Sequence, residues 1–359
     1  MARPVIHHRT PEFSAVLDSA RQRLKPLFGT RQEVILLASS GTGAMEAVVA
    51  NLLDPDDHAL YVNGGKFGER WGKLIASHGA IAHEVKLQWG RSVRPEQVND
   101  ALAANPTVRA VFVQASETST GALHPIADIG EITKRRAVML VVDGITSVGV
   151  FEQKMDEWGV DALVTGSQKA LMLPPGLAMV ALSEPALARA RKSRARRYYF
   201  DLLRELKAQR DEHTTAYTPA VALVFGLNKA LELIIAETLP RVFARQQLMA
   251  EATRSSAQAL GLRIFPVNPA AGVTAMVAPD GVDSSQVVRY MRDELGISIQ
   301  GGQDQMKGKL IRIGHMGYLS PFDMLIAVSA LEMALARFGH EFVPSAGVAA
   351  VQKRINLGI

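Results

Sequence analysis

Residues 138–149 read Val-Met-Leu-Val-Val-Asp-Gly-Ile-Thr-Ser-Val-Gly. Five apolar residues in a row suit a strand covered on both faces, because a strand with one wet face would alternate apolar and polar residues. The run ends abruptly on Asp143 and Gly144, so the chain leaves the core at a carboxylate. Ala110–Gln114, Ala162–Thr165 and Ala178–Ser183 have the same continuous character, and Val34–Leu37, His58–Val62 and Ala82–Lys86 are further strand-sized runs upstream. Helical composition separates several of them, over Ala44–Leu53, Arg70–His78 and Pro95–Asn105, the last with Pro in its first turn. Apolar strands alternating with helices predict an α/β fold with a mainly parallel sheet, in which ligands bind beyond the carboxyl ends of the strands.

Pro219–Ala236 and Leu239–Leu260 read as long helices. After Gly261 the pattern changes. Strands are expected at Arg263–Val267, Thr274–Val277, Ile297–Gln300 and Lys309–Ile313, with helices at Ser284–Leu295 and Asp323–Phe338. The expected division is a large domain over residues 1–244, with an N-terminal arm over 1–20, and a smaller α+β domain over 245–359.

At 359 residues the chain is long enough for two cores, and 48% hydrophobic with 21% charged residues is ordinary for a soluble globular protein. With no Cys there is no disulfide framework, thiolate nucleophile, iron–sulfur cluster or Cys-based zinc site, and no metal is expected. The start of the chain lacks the apolar run and cleavage site of a secretory signal, and no segment is apolar over a membrane's thickness. A cytoplasmic protein with no membrane partner is the expectation. The net charge of +5 is concentrated between Arg189 and Arg197. Without an aromatic stripe or recognition helix, that cluster reads as a solvated helix face or interface arm, and no nucleic-acid partner is expected.

Four segments follow predicted strands, Ser39–Gly43, Glu117–Gly121, Asp143 and Gly166–Lys169, and could converge on one polar site. Ser39-Ser-Gly-Thr-Gly43 opens a helix, where free backbone N–H groups and the helix dipole attract an anion and Gly lets it approach; a plain turn is the alternative. Asp143 ends an apolar strand, which is costly unless the carboxylate meets a cation or caps a helix. Lys169, in Gly166-Ser-Gln-Lys-Ala-Leu-Met-Leu-Pro-Pro-Gly176, follows another buried strand. Desolvation there would lower its pKa and make it a nucleophile toward an aldehyde, unless its head stays in water. Arg312, in Lys309-Leu-Ile-Arg-Ile-Gly-His-Met-Gly317, offers a planar fork to a carboxylate, or a structural ion pair.

Taken in order, Ser-Gly-Thr-Gly, Val-Asp-Gly-Ile, Gly-Ser-Gln-Lys-Ala…Pro-Pro-Gly-Leu and Arg-Ile-Gly-His-Met-Gly resemble the class V, fold-type I aminotransferases that use pyridoxal 5′-phosphate (PLP). The resemblance spans nearly the whole chain and is nearest to the alanine–glyoxylate and serine–glyoxylate (serine–pyruvate) branch, which includes proteins called the small subunit of soluble hydrogenase. It implies a large domain built on a seven-stranded type of sheet. It implies that Lys169 bonds to the PLP aldehyde and shuttles a proton, and that Asp143 pairs with the pyridine nitrogen. Ser40, Gly41 and Thr42, helped by Gln168, would bind the phosphate. Phe67 would stack on the ring, Thr118 would lie near the ring oxygen, and Arg312 would bind the substrate carboxylate. Thr218 would reach the phosphate of the other subunit in a homodimer with shared active sites.

The implied reaction moves the amino group of a small amino acid, such as alanine or serine, to glyoxylate or pyruvate in two half-reactions. Two departures from the family pattern are visible. His7-His-Arg-Thr-Pro11 stands almost at the start, where relatives have a Pro-Gly-Pro segment upstream, and Thr215 stands where some relatives have a phosphate-touching Tyr. Cysteine desulfurase activity, found in a related branch, requires a thiol this chain lacks. A PLP lyase and a non-catalytic hydrogenase-associated homologue are the alternatives.

Overall fold

The structure is a computed structural model describing residues 5–358; Met1–Pro4 of the expected N-terminal arm and Ile359 lie outside the described residues. The chain opens with α1 (Pro11–Phe28), β1 (Val34–Leu37), α2 (Gly41–Leu52), β2 (His58–Asn63), α3 (Lys66–Ser77), β3 (Ile81–Lys86), α4 (Pro95–Ala104) and β4 (Val108–Gln114). A short hairpin, β5 (Ser116–Glu117) and β6 (Ala122–Leu123), precedes α5 (Ile126–Arg136), β7 (Met139–Asp143), α6 (Met155–Trp158), β8 (Ala162–Gly166) and β9 (Ala178–Leu182). Four helices follow: α7 (Glu184–Lys192), α8 (Leu202–Asp211), α9 (Val221–Glu237) and α10 (Leu239–Ala259). The remainder is β10 (Val273–Val277), α11 (Ser284–Asp293), β11 (Gln300–Gly301), a 3-10 turn at Asp304–Met306, β12 (Leu310–Gly314), α12 (Pro321–Arg337) and α13 (Ala346–Gly358).

Seven strands form one sheet in the order β1-β9-β8-β7-β4-β2-β3. The pairs β2–β3, β2–β4, β4–β7 and β7–β8 are parallel, and only β9 runs against its neighbours β1 and β8. The sheet is therefore mainly parallel, as its apolar runs predict. β7, β8 and β9 at its centre are buried almost throughout because both faces are covered. One apolar cluster joins Phe13, Leu17 and Leu24 of α1 to Val142 and Leu163; the other joins Met45, Val48 and Leu52 of α2 to Val141 and Val164. Alternate residues of the same strand thus serve opposite cores.

A second sheet, β10-β12-β11, is antiparallel and packs with α10, α11, α12 and α13 around Met249, Met276, Ile311 and Leu331. α10 runs unbroken through residue 245. Two expected strands are not regular ones. Arg263–Val267 makes a single bridge on the free edge of β10, Ile264 to Met276, flanked by the Phe265 N–H to Ala275 and Val277 N–H to Arg263 bonds, and goes no further because the Val267 N–H donates instead to the Gly90 carbonyl at 2.9 Å. Ile297–Gln300 shrinks to Gln300–Gly301, since the Ile297 N–H donates to the Met291 carbonyl of α11 at 2.8 Å rather than to a strand. α12 is not the closing helix: α13 follows and packs on α10.

Candidate active site

β4, β7 and β8 are parallel neighbours, and their register sets Gln114 beside Asp143 and Asp143 beside Val164. Their carboxyl ends therefore open on one side, and the segments leaving them carry Glu117, Asp143 and Lys169 to a common place. Asp143 is 5% exposed and accepts the Ile145 N–H at 2.8 Å. Burial pushes its pKa up to about 7, against 3.8 for a free side chain; Glu117 adds to the rise, while the Ile145 bond, Arg70 and Lys169 oppose it. Lys169 is held below the usual lysine range by burial and by Arg312, with Asp143 acting the other way. The fields of Asp143 and Arg312 thus meet at one amine.

The anion cup forms where α2 begins. Ser40 is its N-cap, and no side chain caps the first turn, so the leading amides of Gly41 and Thr42 face outward. The turn after β8 lies against it: a Cβ on Gly166 would stand 3.5 Å from the Gly41 amide nitrogen and 3.0 Å from Gln168 Oε1. A Cβ on Gly41 would come within 2.5 Å of the Ile145 side chain and displace it. Gln168 Oε1 is buried without a protein partner. An open helix start beside an orphaned polar atom suits a phosphate-bearing ligand.

Phe67 lies in the first turn of α3, with the Arg70 guanidinium 5.0 Å from its ring centre. Arg70 also donates to Thr42 Oγ1 at 3.0 Å and so joins the ring-stacking position to the anion cup. Arg312 on β12 is 7% exposed and donates through Nη1 to the Thr118 carbonyl at 2.6 Å and through Nε to the Gly301 carbonyl at 2.8 Å. Burial lowers its pKa, and Glu117 partly offsets that. It makes no ion pair among the described residues, which leaves its charge for a ligand. Thr218 is exposed in the loop before α9, beside Leu37, Ala38 and Tyr199. The structure thus gathers Ser40, Gly41, Thr42, Asp143, Gln168 and Lys169, with Phe67, Thr118 and Arg312 around them, and sets Thr218 at the surface.

Sequence reading passed over Arg70 and marked Glu117 only as the first residue of the Glu117–Gly121 segment, with no role of its own. Glu117 is fully buried at the end of an apolar strand, the same signal that singled out Asp143. Arg70 had no such signal, since helical arginines are usually solvated. The Arg189–Arg197 cluster is partly structural: Arg189 pairs with Asp54 at 3.0 Å and Asp57 at 2.6 Å, and Arg197 Nη2 donates to the Ala190 carbonyl at 2.9 Å.

The residues fit PLP: an aldehyde needs a desolvated amine, a phosphate the α2 start, and a pyridine nitrogen a buried carboxylate such as Asp143. The chain is 39% identical to the soluble hydrogenase small subunit of Synechococcus, over 97% of this chain and 92% of that one. It is 36% identical to the L-aspartate–glyoxylate aminotransferase of Paracoccus denitrificans, over 98% and 90%. The pyridoxamine–pyruvate aminotransferase structure from Mesorhizobium loti superposes with a TM-score of 0.95 at 28% identity, covering 99% of this chain and 93% of that one. The family model described as aminotransferase class-V matches residues 2–317. The chain belongs to the class V aminotransferases, fold-type I enzymes that transfer amino groups with PLP.

Proposed function

We propose that this protein moves the amino group of a small amino acid to a 2-oxo acid, glyoxylate or pyruvate, by a ping-pong sequence. The observation that carries the reading is the convergence of the buried Asp143 carboxylate and the Arg312 guanidinium, whose fields oppose one another, on the partly desolvated amine of Lys169. PLP, when bound, supplies an electron-poor ring that accepts the electrons of a substrate carbanion. Asp143 would hold the proton on the ring nitrogen. Lys169 would carry the aldehyde between turnovers and, once freed, take a proton from the substrate Cα. Arg312 would fix the substrate carboxylate through two N–H groups. Phe67 would cover the ring, Thr118 would face its oxygen, and Ser40, Gly41, Thr42 and Gln168 would hold the phosphate.

Relatives named for L-aspartate–glyoxylate and serine–glyoxylate transfer support glyoxylate as acceptor. The exposed setting of Thr218 suits contact with the phosphate of a second copy, and a homodimer with shared sites is part of the proposal. So are a division near residue 245 into large and small domains and a cytoplasmic location; among the described residues no helix is long and apolar enough to cross a membrane.

The test is a single half-reaction. Holoenzyme mixed with alanine, serine or aspartate and no acceptor should release one keto acid per site and then stop, resuming when glyoxylate is added. Continuous release without an acceptor would instead identify a lyase.

A further inference from the structure

The first turn of α3 carries Phe67 and Arg70, yet its N-cap is Gly65, which has no side chain to receive the leading amides. The acceptors come from the β5–β6 hairpin that follows β4, about fifty residues away. Phe67 N–H and Gly68 N–H donate to Glu117 Oε2 at 3.1 and 2.9 Å. Lys66 N–H donates to Ser119 Oγ at 3.0 Å, and Ser119 passes its own N–H and O–H to Glu117 Oε1 at 3.1 and 2.5 Å. Gln114 Nε2 completes the set on Oε2 at 2.9 Å. Five donors therefore converge on one carboxylate that is 0% exposed and has no cation within ion-pair distance among the described residues. The positive end of α3 compensates the charge.

Two further contacts tie this carboxylate to the site. A Cβ on Gly65 would run into Ser119 Oγ and the Glu117 carboxyl carbon, so the helix start can seat on Glu117 only through glycine. The next residue, Thr118, gives its carbonyl to Arg312 Nη1 at 2.6 Å. One side chain thus holds the residue at the ring-stacking position on one side and the backbone that aims the carboxylate-binding arginine on the other.

We propose that Glu117 is a positioning residue for amino transfer, whose two oxygens fix Phe67 at the ring-stacking position directly and, through Ser119, the turn whose Thr118 carbonyl meets Arg312. Its meaning for catalysis rests on the aminotransferase reading above. A residue that merely filled space would be replaced by Gln without loss. A positioning carboxylate would not, because both oxygens accept and an amide must turn an NH2 toward N–H donors.

The experiment compares Glu117→Gln and Ser119→Ala with the unchanged full-length chain. Hydrogen–deuterium exchange, with and without PLP, should accelerate on the order of tenfold in the peptides holding Phe67 and Gly68 or Ser119, and stay unaltered in α10 and α12. PLP should bind about tenfold more weakly to Glu117→Gln, with a smaller circular-dichroism signal from the bound cofactor, and KM for the amino acid should rise. Ser119→Ala should shift the same readouts less, and it decides the matter if Glu117→Gln does not fold. Unchanged exchange and unchanged cofactor dichroism would overturn the proposal. Absence of amino transfer by the unchanged enzyme would instead refute the aminotransferase reading, because exchange reports on Glu117 without turnover.

Discussion

Asp143 should make the cofactor-free protein less stable, and replacing it should reveal by how much. Its carboxyl titrates at about 7 in the folded chain against 3.8 for a free side chain, chiefly because of burial. A group with a raised folded-state pKa binds its proton more tightly when folded, so stability falls as pH climbs from about 4 and levels off above about 7. The difference corresponds to roughly 4 kcal/mol at the plateau. Asp143→Asn keeps the shape and the acceptor for the Ile145 N–H but never ionises. Without PLP, the variant should match the parent near pH 4 and exceed it at pH 8 by roughly 4 kcal/mol, about 5 °C in Tm for a chain of this length. Calorimetry of both proteins across that range is the assay. A constant gap, or a parent more stable at pH 8, would refute the claim that the fold holds this carboxylate in readiness for a cation. With PLP the order should reverse: Asp143→Asn should lose about two orders of magnitude in turnover, because the cation it should meet has no charged partner.

Lys169→Ala should abolish both turnover and the absorbance of bound cofactor near the visible edge, and a spectrum unchanged from the parent would reject its covalent role. Arg312→Lys keeps the charge but loses the planar fork, so KM for the amino acid should rise on the order of tenfold or more, read by steady-state kinetics with each substrate varied. Arg70→Ala removes the donor to Thr42 and the contact over Phe67; equilibrium titration should show PLP binding weakened about tenfold.

What could be read in the sequence follows how locally each feature is determined. β7 and β8 are visible because burial on both faces forces unbroken apolar runs, and Asp143 and Lys169 stand out as the polar residues that end such runs. The start of α3 is not visible. Gly64 and Gly65 suggest a turn, and a helix is expected only from Arg70, yet α3 begins at Lys66. The amides of that first turn are satisfied by Glu117 and Ser119, whose proximity depends on β4 pairing with β2 and so cannot be inferred from neighbouring residues. Arg263–Val267 falls short of a regular strand for a similar reason: it pairs with the free edge of β10 only as far as Phe265, because the Val267 N–H goes to the carbonyl of Gly90, a partner far away in sequence. Arg70 escapes notice because what distinguishes it is Thr42, on another helix.

The two carbonyls that hold Arg312 belong to different sheets' surroundings, Gly301 beside β12 and Thr118 beyond β4. Lys66 and Asp304 bridge the same gap at 2.9 Å. Three guanidinium N–H bonds stay free for an incoming carboxylate, and any sideways slip of the three-stranded sheet would first loosen the Thr118 bond that aims them. Substrate capture and the seam between the two sheets are thereby geared together: whatever parts the seam also unlatches the arginine.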